Sequence, residues 1–441
     1  MGKIAFVRVA HKDYQNDISR EKGSEALEKL KSNDINVFYN EDPLVDPEEA
    51  RKFGYEVCSE NVDGVLVFFD TWAEPTVPMA LVQETKHLPI AVWGFPMFSY
   101  RGAMESTGSF VALAVFSGSL KRLGIKHKYI YGLPDDQDII RDVKYFAKVT
   151  HTIRSLRATR LGLVGYAAMS IYSGTFDHLM LRGIIGPEVL QIDTYTLINI
   201  AESASKEQYS KFLENVKSYA KISKDLKSEY LEKEGKLYFA IKELIKRYNL
   251  NSINVKCQYE LSQEYKCIPC PALSLIAEEG VVAGCEGDVM TTVSQVILNY
   301  LTGQKVAYGD ILNIQNREVI FSPCGFAPYS LAQDKNKVEL RDIGHPGFSG
   351  PIVSLVFKKG KVTYMRLNEA KDGYVMNIGT GEGMDSELRQ GRFPALKFKI
   401  NGDEKNFIES LHCQHYALCY GDHTKELIDL CKFLNISYFL I

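Results

Sequence analysis

Carboxylates near an imidazole stand out in two stretches, Cys285-Glu286-Gly287-Asp288 and Cys413-Gln414-His415-Tyr416, with Tyr420-Gly421-Asp422 just after the second. Acid oxygens plus one ring nitrogen suit a hard divalent cation that must also hold a polyhydroxylated substrate. Such residues have to be delivered to one place by separate segments, and strand ends do this best.

The elements around the first stretch provide that. Val281-Val282-Ala283-Gly284 reads as a strand end, while Val289, Val293, Val296, Ile297 and Tyr300 repeat at the spacing of a buried helix face. Glu286 and Asp288 therefore fall in a strand-to-helix turn, at the edge where open parallel sheets keep their ligand crevices. The same position suits Asp288 as the N-cap of that helix, accepting amide hydrogen bonds and offsetting the dipole. The turn alone leaves both readings open. Upstream, Val255-Lys256-Cys257-Gln258-Tyr259-Glu260-Leu261 puts Glu260 just past another predicted strand, where a surface carboxylate and a ligand are again both open.

The second stretch is crowded with His412, Cys413, His415, Cys419 and His423, for which a structural zinc site is one reading. Against zinc, the spacing forms no paired C-x-x-C knuckles. Leu427, Leu430, Cys431 and Leu434 then make an ordinary apolar helix face before a strand over 436–441, so one histidine is expected to be functional and the others neighbours. Cys267-Ile268-Pro269-Cys270 is a lone C-x-x-C without a second pair or a thioredoxin-like helix start, so redox or metal use is not expected there. Gly379-Thr380-Gly381-Glu382-Gly383 lacks the G-x-G-x-x-G spacing, Gly347-Phe348-Ser349-Gly350 is not a G-x-S-x-G elbow, and no Walker A sequence occurs. The simple nucleotide and serine-hydrolase readings are therefore set aside.

The rest of the chain must position these residues. Its 441 residues, 45% hydrophobic and 24% charged, allow more than one core and two or three domains. A formal net charge of −3 gives no general attraction to nucleic acid or anionic lipid, so neither is expected as a partner. The run from Met1 to Val9 reads as a strand rather than a signal peptide, no run has the length to cross a bilayer, and nine cysteines do not form a disulfide framework. A cytoplasmic location with reduced thiols is expected.

Strand-like runs at Ile4 to Val9, Ile35 to Tyr39, Gly64 to Phe69, Ile90 to Trp93 and Tyr129 to Tyr131 alternate with amphipathic stretches, the pattern of a parallel sheet covered by helices. The alternation restarts at Leu161 to Tyr166 and at Leu190 to Tyr195. A Lys/Glu-rich segment from Ser205 to Lys246 has apolar residues at helical spacing, and after Gly303 come short strands such as Lys335 to Leu340, Ile352 to Phe357 and Lys361 to Leu367. The fold expected is two doubly wound parallel-sheet α/β domains followed by a β-rich, barrel-like carboxy-terminal domain. The divisions are 1–158, 159–303 with the acidic residues, and 304–441 with the histidine.

Taken together, the segment ending in Glu260, the Cys-Glu-Gly-Asp turn ending in Asp288, and His415 in Gln-His-Tyr-Ala-Leu-Cys-Tyr-Gly resemble the metal-binding elements of the L-fucose and L-arabinose isomerase superfamily. Met365-Arg366-Leu367-Asn368, the Gly379 to Gly383 run and Met169-Ser170-Ile171 add to the resemblance, which keeps its order along the chain in a shortened form. It implies a metal-dependent aldose–ketose isomerase acting on a pentose or hexose through an ene-diol. It further implies Glu260, Asp288 and His415 as ligands of Mn²⁺ or Mg²⁺, with Glu260 and Asp288 also catalytic. Arg8, Trp72 and Gln414 become substrate contacts, and a trimer or hexamer completes each site from a neighbouring subunit. Departures are Cys257 where the family often has Gly, Gln414 where it has Asn or His, and a longer spacing from Glu260 to Asp288, all of which bear on which sugar is accepted. Arg8 as a strand-end charge and Trp72 as a packed side chain stay open beside the substrate role. A sugar-binding or regulatory protein without turnover is the alternative function.

Overall fold

In the computed structural model, which describes residues 2–441 and so leaves Met1 of the expected leading strand outside them, residues of Lys3–Val9 sort onto both faces of a sheet. Ile4 and Phe6 join one core with Leu66, Phe68 and Trp93, while Ala5, Val7 and Val9 join another with Val65, Val67 and Phe69. Both faces are apolar because helices cover both, as parallel sheets require. The five strands run in the order Asn36–Tyr39, Lys3–Val9, Gly64–Phe69, Ile90–Gly94, His127–Tyr131, all parallel. Two of the helices between them start from side-chain caps, with Asn16 in a capping box and Asp46 capping a helix with Pro47 in its first turn.

This sheet belongs to one of two compact units, Met1–Arg154 with Lys425–Asn435. The other is Ser155–Thr424 with Ile436–Ile441. The second unit contains a four-stranded parallel sheet ordered Val282–Cys285, Ser252–Val255, Arg160–Val164, Glu188–Ile192. The chain leaves Arg160–Val164 toward one side and returns on the other, so the order reverses between Arg160–Val164 and Ser252–Val255. Beyond the carboxyl ends of these strands is where such a fold binds ligands.

A seven-stranded, largely antiparallel sheet follows in the same unit. Its pairings run Gly360–Ala370, His415–Tyr420, Ala307–Gln315, Glu318–Ser322, Leu396–Ile400, Gly373–Gly383 and back to Gly360–Ala370, so six strands close a ring; Ser437–Leu440 adds in parallel to Gly373–Gly383. The glycine run 379–383 has a packing reason: a Cβ on Gly379 would lie 2.1 Å from the Tyr364 ring.

Several local readings change. The segment 205–246 is two helices, Lys206–Val216 and Ser228–Tyr248, separated by the two-residue strand Lys221–Ile222. The strand expected to end at Tyr195 stops at Ile192, because Asp193 precedes the helix Thr194–Glu202. Lys335–Lys337 is a 3-10 turn capped by Asp334, and its strand begins only at Glu339. Cys270 does open a helix, Cys270–Glu278, but both cysteines of the C-x-x-C are buried. All nine cysteines are free, and no helix among the described residues is long and apolar enough to cross a membrane.

Candidate active site

The Glu286–Asp288 turn is held in an unusual backbone shape. Glu286 has φ 62° and Gly287 φ 69°, a left-handed region that costs a non-glycine residue energy. Gly287 has no alternative, since a Cβ there would sit 2.0 Å from the Tyr166 carbonyl oxygen. The turn is pinned to the exits of two neighbouring strands: the Glu286 carbonyl accepts from Ala168 N–H at 2.8 Å, and Gly287 N–H donates to Asn254 Oδ1 at 2.8 Å. Asn254 also donates to the carbonyls of Cys285 and Asp288, so one buried amide ties the turn together.

Asp288 is the N-cap of Val289–Thr302, with its Oδ1 accepting the Thr291 amide at 2.9 Å. Its Oδ2 is also taken: it accepts from Thr291 Oγ1 at 2.9 Å and from Arg366 Nη1 at 2.8 Å, and lies 2.9 Å from His415 Nδ1. Arg366 is fully buried, anchored further by the carbonyls of Ser173 and His415 and by Asn368. Burial alone would raise the Asp288 carboxyl, but the Arg366 guanidinium and then His415 outweigh it and hold it well below the ordinary carboxylate range.

Strand register brings a residue that motif reading missed. In the antiparallel pairing of Ala307–Gln315 with His415–Tyr420, Asp310 lies directly opposite His415, and Tyr308 lies two residues away. Residues so paired share a face of the sheet. Asp310 Oδ1 is 3.4 Å from His415 Nε2, Glu286 Oε2 is 3.4 Å from the same nitrogen, and the Tyr308 ring is 4.8 Å from the imidazole. Burial would lower His415, yet Asp288, Asp310, Cys413 and Glu286 raise its pKa well above normal. Glu286 is held low in turn: burial opposes this, and the His415 contact outweighs it. The exposed Cys324 donates from Sγ to Glu286 Oε1 at 3.0 Å.

The other expected residues stand apart from this cluster or at its rim. Glu260 opens a short turn after Tyr259, itself at φ 68°, and its Oε2 lies 2.6 Å from Lys256 Nζ. The lysine side chain is 0% exposed and the glutamate 37%. Tyr166 lies against that ammonium, its ring centroid 3.6 Å away. Among the described residues no hydrogen bond or ion pair joins Glu260 to Asp288 or His415. Gln414 is exposed, with its amide nitrogen 3.3 Å from His415 Nε2. Arg8 is 5% exposed and bound to Asp70 at 2.5 Å, while Trp72 is half-buried and packs with His11 and Tyr14. His412 and His423 contact nearby backbone carbonyls of Ser410 and Tyr420, and among the described residues only Asp288, Cys413 and His415 form a tight group of potential metal-ligating atoms. Neither His412 nor His423 belongs to that group.

The sequence signal for the missed residues was thin. Arg366 falls in the Met365–Asn368 stretch with no role attached to it, Glu286 belongs to the acidic turn but not to the expected ligand set, and Asp310 is a single acid in a strand whose partner no spacing reveals.

No family model matches the chain. Among solved structures, an arabinose binding protein from Geobacillus stearothermophilus is 11% identical and covers 64% of this chain and 80% of its own, at a TM-score of 0.17, too low to carry an argument. Among curated proteins, sulfoquinovose isomerases of Priestia aryabhattai and Alkalicoccus urumqiensis are each 23% identical, covering 98% of this chain and 98% of their own. A protein of the same name from Clostridium sp. (strain MSTE9) is 21% identical over 75% of both chains. The chain is thus similar, along nearly its whole length, to proteins named sulfoquinovose isomerase.

Proposed function

We infer that this chain is an enzyme, an aldose–ketose sugar isomerase, with sulfoquinovose the first substrate to test and L-fucose, D-arabinose and L-arabinose the alternatives. The observation that carries the reading is the full-length likeness to named isomerases. The convergence of three carboxylates on one buried imidazole supports it chemically.

An aldose becomes a ketose when the C2 proton leaves, an ene-diol forms across C1 and C2, and a proton returns to C1. Glu260 is the carboxylate best placed to carry that proton, being half-exposed and engaged by a single side chain, Lys256. Asp288 is less suited, since both its oxygens are occupied and buried. Arg366 and His415 concentrate positive charge beneath the site, which favours the negative oxygens of the ene-diol. Gln414 is placed to donate to a sugar hydroxyl.

Mn²⁺ or Mg²⁺ fits the side chains around His415, because Glu286, Asp288 and Asp310 are hard oxygen donors and the imidazole is a borderline nitrogen donor. When bound, such a cation supplies charge neutralisation at the two sugar oxygens. The proposal includes a trimer or hexamer in which Trp72, with His11 and Tyr14, offers an aromatic surface to the sugar. Arg8, closed around Asp70, is not carried into it.

Incubating the purified chain with each aldose and Mn²⁺, and following ketose by NMR, tests the reading. Conversion of at least one sugar is expected. Tight binding of a sugar with no conversion of any would favour a binding protein instead.

A further inference from the structure

Lys256 is an ammonium that the fold buries completely beside the half-exposed Glu260, and a buried charge is costly unless its partners are well placed. Strand register puts it there. Val255 pairs with Val164 on one side and with Cys285 on the other, and the Lys256 amide goes on to donate to the Val164 carbonyl at 3.0 Å. Tyr166, Lys256 and Glu286 thus follow three neighbouring strand ends. Tyr166 touches both of the others' segments: its carbonyl oxygen backs Gly287 of the acidic turn, and its ring centroid lies 3.6 Å from Lys256 Nζ.

Among the described residues, Glu260 is the one carboxylate paired with this ammonium, at 2.9 Å through Oε1 and 2.6 Å through Oε2. Oε2 is buried and receives no hydrogen bond from any other group, so the lysine alone sets where the carboxylate lies. On a surface helix a pair four residues apart is worth little, because two mobile side chains must be held in one geometry. Here one partner is already immobile. The chain between the two turns back through Tyr259, at φ 68°, and the Tyr259 ring centroid stands 5.5 Å from Nζ. Two tyrosine faces therefore share the ammonium's charge with one carboxylate.

That division matters for a group that takes up a proton. When Glu260 carries the C2 proton its charge is gone, and a lysine held by the carboxylate alone would be free to move. The tyrosine faces keep the ammonium in place, so the carboxyl group has one position in both states. A displacement of ~1 Å is enough to cost about 10²-fold in rate. We propose that Lys256 is a positioning residue that fixes Glu260 for proton transfer, with Tyr166 holding the ammonium while Glu260 is protonated. This role rests on the isomerase reading, in which Glu260 carries the proton.

The test is a kinetic double-mutant cycle on the full chain, with the sugar that the wild type converts best. Lys256→Met, which keeps most of the stem, should lower kcat ~10²-fold with KM changed less than ~3-fold, and Lys256→Arg should recover part of that loss. Lys256→Met combined with Glu260→Gln should match Glu260→Gln alone to within ~2-fold, because the lysine acts only through the carboxylate. A purely structural lysine would instead lower the melting temperature and leave kcat of the folded enzyme at the wild-type value, which overturns the assignment. Losses that multiply in the double variant overturn it too, as does a rise in KM alone, which would put Lys256 on the sugar. Should Lys256→Met fail to fold, Tyr166 decides. Tyr166→Leu should lower kcat several-fold below Tyr166→Phe in the wild-type background and not in Glu260→Gln, and equal rates in the two Tyr166 variants overturn the assignment. No conversion of any aldose by the wild type overturns the isomerase reading and this role with it, whereas wild-type conversion with an unaffected Lys256→Met removes this role alone.

Discussion

Each unit contains a buried arginine–aspartate pair, and the two differ in what else touches the carboxylate. In the first, Arg8 Nη2 meets Asp70 at 2.5 Å, and the remaining guanidinium contact is to the Glu41 carbonyl. Gly23 leaves the space, since a Cβ there would lie 2.3 Å from Arg8. In the second, Asp288 meets Arg366 but also caps a helix and holds an imidazole whose far nitrogen faces two further carboxylates. The first pair closes on itself. The second is joined to a wider buried cluster, so the same kind of ion pair stands alone in one unit and in the other sits beside the candidate site.

The largest effect expected is kinetic and belongs to the second unit alone. Glu260→Gln should lower turnover by ~10²–10⁴-fold, the usual contribution of general acid–base catalysis, in a chain that far-UV CD shows to be folded. Near wild-type rates would remove Glu260 from the chemistry.

Next come the pairs themselves. Arg366→Met and Arg8→Met each strand a buried carboxylate and should each cost about 3–5 kcal/mol in urea unfolding. Only the first should also weaken Mn²⁺. Both tryptophans, Trp72 and Trp93, lie in the first unit, so their fluorescence reports the Arg8 variant and far-UV CD is needed for the other. Equal loss of Mn²⁺ binding in the two variants would erase the distinction between the pairs.

Acid gives the two aspartates opposite signs. Asp288 and Glu286 are depressed when folded, so their stabilising contribution is complete above the ordinary carboxylate value near 4 and is lost as pH falls below it. Asp70 is pushed up to about 6, chiefly by burial that Arg8 only partly offsets. The folded chain then binds the extra proton, so stability from this group is greatest below about pH 4 and falls by up to ~3 kcal/mol as pH rises to 6. Asp70→Asn should flatten the tryptophan-monitored dependence between pH 4 and 6, and an unchanged slope would contradict the assignment. The smallest effect is at the surface: Lys361 and Asp422, 49% and 43% exposed, pair at 2.8 Å, and Lys361→Met should leave the urea-unfolding midpoint nearly unchanged.

Much of this was legible in the sequence. Alternating apolar runs fixed the parallel strands, and the Val289 face placed Asp288 at a helix start, where its capping and its pairing with His415 turn out to coexist. Asp310 was not legible, because it reaches His415 through antiparallel register set by closure of the ring of strands. Arg366 was hidden for a related reason, since a lone arginine in a strand gives no sign that its guanidinium is buried against a helix cap. Glu260 was legible as a position but not as a partner of Lys256, which depends on the strained turn at Tyr259.

The most direct measurement is proton NMR of sulfoquinovose with the Mn²⁺-loaded chain in deuterated water. The ketose should appear, with solvent deuterium entering at C1 of the ketose or C2 of the aldose by exchange from the carboxylate, and both signals should fall sharply in Glu260→Gln. No ketose and no exchange from sulfoquinovose, L-fucose, D-arabinose or L-arabinose, with a folded chain and bound Mn²⁺, would contradict the isomerase reading.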